Sequence, residues 1–315
     1  MQSIELIRNN PDKLIEDYQR RNDEELTRLV EQIREKDQAW RDLKHDGDQL
    51  RHKRNEKSER INKLQKQGED FDHIIEEVKD IKEELEDVEA QHEALKEEID
   101  VLLRSLPNQM HDSVPTGAGE DDNEEVKRWR EPITPDYDLQ PHHRLAEELG
   151  VADFKRSAKT SGHGFYFIKG DLALMNQALI RFAIDQLVRK DFQYQEPPLM
   201  MRRDVYETGV SLDDFEDVMY EVEEEDQYLI GTSEHPLLAQ FKDETLEDEE
   251  LPIKMCGYSM CFRKEVGSHG IDTKGLFRTH QFNKVEQAVV TKPENSWEVH
   301  EQLQANAEQL HKQLE

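Results

Sequence analysis

Two stretches in the first third of the chain repeat their apolar residues on a helical period. In the first, Leu29, Ile33, Trp40, Leu43, Leu50, Ile61 and Leu64 fall on one three-four register. In the second, Phe71, Ile74, Val78, Ile81, Leu85, Val88, His92, Leu95, Ile99 and Leu102 form a nearly unbroken seam. A sustained heptad seam predicts a coiled coil. Between Leu64 and Phe71 stands Gln-Lys-Gln-Gly-Glu-Asp, too short for anything but a reversal. The pattern therefore predicts an antiparallel helical hairpin. Some 36 residues at 1.5 Å each give an arm of roughly 50 Å. His92 within the seam reads as a tolerated core histidine. Ahead of the arm lies a short amphipathic segment. Asn10-Pro11-Asp12 predicts a helix start there, because the missing N–H of proline costs nothing at that position.

Leu106-Pro107-Asn108 ends the arm. Pro107, Pro115, Pro132, Pro135 and Pro141, with Gly117, Gly119 and the acidic cluster Glu120-Asp121-Asp122, predict a linker over 111–141. Residues 1–110 then form the arm, and a globular part follows over 142–315. Gly162 to Gly170 reads as a strand ending in a turn, and Asp171 as the N-cap of a helix carrying Leu172, Met175, Leu179, Phe182 and Leu187. Tyr194-Gln195-Glu196-Pro197-Pro198 is extended and stopped by two prolines. Asp213 to Asp226 is an acidic surface segment. Gly231-Thr232-Ser233-Glu234-His235 follows a short apolar strand. A Thr-Ser-Glu triplet is an ordinary helix cap, and it equally offers a hydroxyl and a carboxylate to a ligand. A last helix begins near Pro293, with Trp297, His300, Leu303, Ala307 and Leu310 as its expected buried side.

Met255 to Gln287 has the pattern of a long antiparallel hairpin. Apolar residues lead into Phe262-Arg263-Lys264-Glu265. A loop with Gly267, Gly270 and Gly275 follows, and a return strand runs from Leu276 to Glu286. Loops of that length inside a compact domain are usually functional. Side chains two apart on a strand share a face, so Arg263 pairs with Glu265, and Arg278, Phe282 and Glu286 project together. Two arginines, an aromatic ring and two carboxylates suit a ligand with a phosphate, a flat base and an ammonium group.

Charge changes the picture in two ways. The chain carries a formal charge of -30, with 36% charged and 35% hydrophobic residues. Such a balance is also that of disordered chains, but the regular apolar periods argue for folding. Dense carboxylates fit a protein of a high-salt cytoplasm, where their repulsion is screened. Against this background one stretch is basic: Arg41, Lys44, Arg51, Lys53, Arg54, Lys57, Arg60, Lys63 and Lys66 outnumber the acids among them. Either this is a footprint for a phosphate backbone, or it pairs with the acidic return helix. Cys256 and Cys261 have no zinc-like spacing and read as buried thiols in a reducing compartment, so no zinc is expected. No apolar run approaches the ~20 residues of a membrane span. The N-terminus lacks the basic start and apolar core of a secretory signal. Cytoplasmic location is expected.

The segments FRKEVG, SHGIDTKG and FRTHQFNKVEQ resemble motif 2 of class II aminoacyl-tRNA synthetases, in the form of the seryl-tRNA synthetases (about 255–287). Residues 172–198 resemble motif 1, a helix and strand closed by proline at a dimer interface. Thr232-Ser233-Glu234 resembles the loop that closes over serine. The resemblance implies an α+β fold, a helical arm followed by an antiparallel catalytic sheet flanked by helices. It implies activation of L-serine by ATP to seryl-adenylate and transfer to tRNA(Ser), with tRNA(Sec) left open as a second acceptor. By resemblance Arg263 clamps the α-phosphate and the serine carboxylate. Lys264, Glu265, Arg278, Thr279 and Phe282 serve ATP, with Glu265 at the adenine amino group and Phe282 stacked on the base. Thr232, Ser233, Glu234 and Glu286 serve serine, and Mg2+ accompanies ATP. The basic stretch from Arg41 to Lys63 would hold tRNA, and a homodimer is implied. Motif 3 has no counterpart in these residues. The expectation is therefore a chain that covers only part of the family's length, or an inactive relative that binds serine, nucleotide or tRNA.

Overall fold

The computed structural model describes residues 2–117, 119–207, 216–265 and 275–314. Gly267 and Gly270 of the expected loop, and Asp213 at the head of the acidic segment, lie outside the described residues. The chain divides into two compact units, Met1–Glu131 and Pro132–Glu315.

The first unit is helical: α1 (Ile4–Asn9), α2 (Pro11–Arg20), α3 (Glu24–Gln67) and α4 (Asp72–Ser105). Pro11 opens α2 at its first position. Asp23 caps α3 by accepting from the N–H groups of Glu25 and Leu26 at 2.9 and 3.2 Å. Gly68 ends α3 with φ 72°, the left-handed conformation that glycine adopts without steric cost. At 44 residues α3 reaches about 66 Å, longer than the arm read from the seam, because its first turns belong to the base. Cross-helix ion pairs join Lys36 to Glu98, Arg51 to Glu89 and Lys57 to Glu77. The partner number falls as the α3 number rises, so the helices are antiparallel. His92 stacks on Trp40 with ring centroids 4.7 Å apart.

At the base, Ile7, Leu14, Tyr18, Val30, Ile33, Ile99, Leu103 and Leu106 form one buried cluster. The Tyr18 hydroxyl donates to the Pro107 carbonyl at 2.9 Å, and burial pushes its pKa up to about 12. Asp37 is 2% exposed and meets Arg8 through two nitrogens, at 2.9 and 2.5 Å, and Arg41 at 3.1 Å. This buried carboxylate fixes α1 to the arm.

The second unit is α+β. It runs α5 (His142–Glu148), β1 (Ala152–Asp153), α6 (Phe154–Ser161), β2 (Phe167–Ile168), α7 (Gly170–Val188), β3 (Gln193–Gln195), β4 (Met200–Arg202) and α8 (Arg203–Tyr206). Then come β5 (Glu221–Val222), β6 (Gln227–Leu229), α9 (Glu234–Ala239), β7 (Ile253–Phe262), β8 (Gln281–Val290) and α10 (Ser296–Leu314). The main sheet has the order β3-β7-β8, with β3 parallel and β8 antiparallel to β7. A second sheet has the order β4-β6-β5. Side chains alternate across β7 and β8. On one face Cys256 packs with Leu187, Phe192, Val285, Val289 and Leu303, which α7 and α10 help to supply. The other face receives α9 through Leu237, whose side chain lies 2.8 Å from where a Cβ on Gly257 would stand.

Several local readings shift. Asp171 lies in the first turn of α7, and Lys169 occupies the cap position. The strand expected over 162–170 shortens to Phe167–Ile168. Met175 and Leu179 are exposed while Ile184 and Leu187 are buried. Trp297 is 48% exposed, and α10 turns Leu303, Ala307 and Leu310 inward instead. The return strand starts at Gln281, not Leu276, so Arg278 precedes it. Arg263 and Glu265 lie past the end of β7, and Glu265 has φ 51°. Strand parity therefore does not set the direction of Arg263, Glu265 or Arg278.

Candidate functional site

The register of the main hairpin pairs Cys261 with Phe282, Ser259 with Lys284 and Gly257 with Glu286. Phe282, Lys284 and Glu286 thus share one face, opposite small side chains. The loop 231–233 lies over the Glu286 end of this face. Thr232 is 5% exposed, and its hydroxyl donates to Glu286 Oε2 at 2.9 Å. It accepts from Lys284 Nζ at 3.0 Å and from the Glu234 N–H at 3.3 Å. A hydroxyl has one proton and two lone pairs, so Thr232 is saturated. Lys284 Nζ also lies 2.6 Å from Glu286.

Arg263 stands at the other end of the site. Its guanidinium donates to the Gly231 carbonyl at 3.3 and 3.2 Å and sits 5.3 Å from the centre of the Phe282 ring. A cation over an aromatic face is held by the ring quadrupole. The Arg263 backbone is pinned as well. Its N–H donates to the His280 carbonyl at 3.0 Å, and its carbonyl lies 2.9 Å from His280 Nδ1. A carbonyl can only accept, so the His280 proton is on Nδ1. His280 in turn stacks on Phe165 and meets the Tyr220 hydroxyl at 3.1 Å.

The structure brings Thr232, Glu286, Arg263 and Phe282 together. Glu265 and Arg278 meet as an ion pair at 2.9 Å. Lys264 is half-buried, and its N–H donates to the Val218 carbonyl at 2.8 Å. Thr279 is 4% exposed and donates its hydroxyl to the Gln281 carbonyl at 2.9 Å, so its side chain is spent on the backbone. Ser233, next in the chain to Thr232, faces the sheet. It is fully buried, and its hydroxyl points to the Gly257 carbonyl at 3.4 Å. Glu234 is exposed in the first turn of α9.

Sequence reasoning missed Lys284, His235 and Gly257. His235 packs on Tyr206 with centroids 4.8 Å apart, and its Nδ1 is buried without a hydrogen-bond partner. Burial lowers its pKa to about 4, helped by the nearby charges of Lys284 and Arg263. It is a neutral imidazole under the site at pH 7. Burial raises the Cys261 thiol pKa. Gly257 leaves the room in which Ser233 and Leu237 approach the sheet. The signal for Lys284 was available in the sequence, since it lies between Phe282 and Glu286 on a period of two. Among the described residues no cluster of His, Cys, Asp or Glu is placed to hold a metal ion. No helix among them is long and apolar enough to cross a membrane.

On the arm, the basic residues fall into two sets. Arg41 pairs with Asp37, Arg51 with Asp48 and Glu89, and Lys57 with Glu77. Lys44 lies over the Trp40 ring at 5.6 Å. Lys53, Arg60 and Lys63 are exposed and Arg54 half-buried, outside the ion pairs found among the described residues.

Residues 1–110 match the seryl-tRNA synthetase N-terminal domain, and residues 217–315 match the tRNA synthetase class II core domain (G, H, P, S and T). The chain is 45% identical over 314 residues to a serine–tRNA ligase of Methanocella arvoryzae, covering 100% of this chain and 74% of that protein. It is 41% identical over 335 residues to the serine–tRNA ligase of Pyrococcus horikoshii, with the same coverage. The crystal structure of the Pyrococcus horikoshii seryl-tRNA synthetase complexed with ATP superimposes with a TM-score of 0.89, over 99% of this chain and 74% of that one. The cytoplasmic serine–tRNA ligase of Naegleria fowleri in complex with AMP gives 0.83 at 29% identity, over 99% of this chain and 76% of that one. Two domain matches and identity above 40% across the full chain lead to one conclusion: the chain belongs to the seryl-tRNA synthetase family.

Proposed function

We propose that the protein activates L-serine with ATP and passes the seryl group to tRNA(Ser), with tRNA(Sec) as a further acceptor to be tested. The observation that carries this reading is the shared face of β8, with an aromatic ring and a guanidinium at one end and the Thr232–Glu286 pair at the other. Adenine stacks on Phe282. Arg263 swings from the Gly231 carbonyl to the α-phosphate and the serine carboxylate, where its planar fork fits better than an ammonium. Glu286 accepts from the serine hydroxyl, Thr232 borders the serine subsite and orients Glu286, and Glu234 meets the amine. The serine carboxylate attacks the α-phosphorus, the bond to the bridging oxygen breaks, and pyrophosphate leaves with its Mg2+. Positioning and charge stabilisation supply the rate.

Lys53, Arg54, Arg60 and Lys63 would take the phosphate backbone of the tRNA, each displacing counterions. Arg41, Lys44, Arg51 and Lys57 would take part once their partners on the arm release them. A homodimer is supported by the apolar surface of α7, where Leu174, Met175 and Leu179 are 68, 55 and 45% exposed.

The test is serine-dependent exchange of pyrophosphate into ATP in molar KCl. It is run on this chain and on one carrying the further quarter found in its relatives. Exchange with serine, and far less with alanine, supports the reading. Without exchange in either protein the ligase assignment fails, and a binding protein is left.

A further inference from the structure

We propose that Lys284 is a catalytic residue of adenylate formation, its ammonium contacting the α-phosphoryl group midway between the adenine and serine subsites. This rests on the assignment of Phe282 to adenine and Glu286 to serine given above.

The argument begins with spacing. Phe282, Lys284 and Glu286 occupy alternate positions of one strand and face the same way. Successive residues on a face are about 7 Å apart. A ligand with its base on Phe282 and its amino acid on Glu286 must carry its phosphoryl junction past Lys284. The residues opposite, Cys261, Ser259 and Gly257, are small, and the loop before α9 packs on the Gly257 end of this face through Ser233.

The second argument concerns donors. A lysine ammonium has three. Thr232 takes one at 3.0 Å and Glu286 another at 2.6 Å. The third has no partner among the described residues. The side chain is 33% exposed, so it reaches solvent, and with it a bound ligand. Arg263 stands 5.3 Å from the Phe282 ring and bonds the Gly231 carbonyl, next in the chain to the Thr232 that Lys284 holds. The neutral His235 adds no third positive charge beneath them. Two cations therefore converge where charge builds up as the serine carboxylate adds to the α-phosphorus and pyrophosphate departs. No proton moves in that step, so what the residue supplies is charge. Lysine is a compact point charge on a flexible stem, able to hold Thr232, Glu286 and a phosphoryl oxygen together.

The experiment is calorimetric titration of the folded chain, in molar KCl, with adenosine, AMP and the sulfamoyl analogue of seryl-adenylate. The wild-type protein binds AMP more tightly than adenosine. Lys284→Met reduces that preference by about tenfold, the scale of one charge-assisted hydrogen bond, and leaves adenosine affinity unchanged. Lys284→Arg recovers part of the loss. An AMP-to-adenosine ratio equal to wild type in Lys284→Met overturns the assignment. Equal weakening of adenosine and AMP also overturns it, because that marks a structural role. A wild-type chain that binds neither nucleoside nor nucleotide removes the Phe282 subsite, and this inference falls with it.

Discussion

The hydroxyl of Thr232 donates to the carboxylate of Glu286 at 2.9 Å, across a gap of 54 residues in the chain. The contact joins the loop before α9 to the middle of β8. It orients the carboxylate of Glu286 on the shared face of β8.

Thr232→Val keeps the shape and removes the hydrogen bonds. A hydrogen bond to a charged group contributes about 1.5–3 kcal/mol. Serine affinity should fall roughly 10- to 100-fold on that scale, with ATP affinity changed by less than about threefold. Calorimetric titration of each ligand separates the two effects. Equal losses for serine and ATP would mean that the loop, and not the hydrogen bond, had been damaged.

Gly257→Ala places a methyl group 2.8 Å from Leu237 Cδ1 and 3.3 Å from the Ser233 side chain. Both neighbours are buried. Overpacking of this kind costs about 1–3 kcal/mol. The urea midpoint should drop accordingly, and serine binding should weaken as the 231–233 loop is pushed from Glu286. A melting curve identical to wild type would show that Leu237 yields freely.

His235 makes a pH prediction with a definite sign. Its pKa falls from 6.5 in the unfolded chain to about 4 in the folded one. The unfolded state therefore binds the proton first, and the stability held above pH 6.5 is lost as pH drops toward 4. At pH 5 the loss is about 2 kcal/mol. His235→Phe removes this component. The difference in unfolding free energy between pH 7 and pH 5 should shrink by that amount relative to wild type, whatever the many carboxylates contribute.

On the arm, substitution of Lys53, Arg60 and Lys63 by alanine should weaken tRNA(Ser) binding. The log–log salt slope should fall by about one for each phosphate that is no longer neutralised. Arg51→Ala and Lys57→Ala should change it less, because Glu89 and Glu77 already compensate those charges. Filter binding over a series of KCl concentrations distinguishes the sets. Equal slopes for all five variants would defeat the division.

The charge of -30 leads to a salt prediction. Repulsion among carboxylates is screened over about 3 Å at 1 M salt against 30 Å at 0.01 M. The thermal midpoint should rise steadily between 0.1 and 2 M KCl. A midpoint that is flat or falling would remove the case for a high-salt cytoplasm.

The heptad seams from Leu29 to Leu102 and the alternation in β7 and β8 were legible in the sequence, because burial on a helix or strand repeats with a local period. So were the turn at Gly68 and the start of α2 at Pro11, which depend on backbone freedom alone. Phe282 and Glu286 could be placed on one face for the same reason. The direction of Arg263, Glu265 and Arg278 could not, since they stand beyond the strand ends, where parity no longer holds. That Ser233 is buried against Gly257, that His235 is neutral beneath the site, and that Lys284 bridges Thr232 and Glu286 follow from packing α9 onto the sheet. Such contacts join residues far apart in the chain. Their energies depend on distance and desolvation, which no local period encodes, and the tertiary structure decides them.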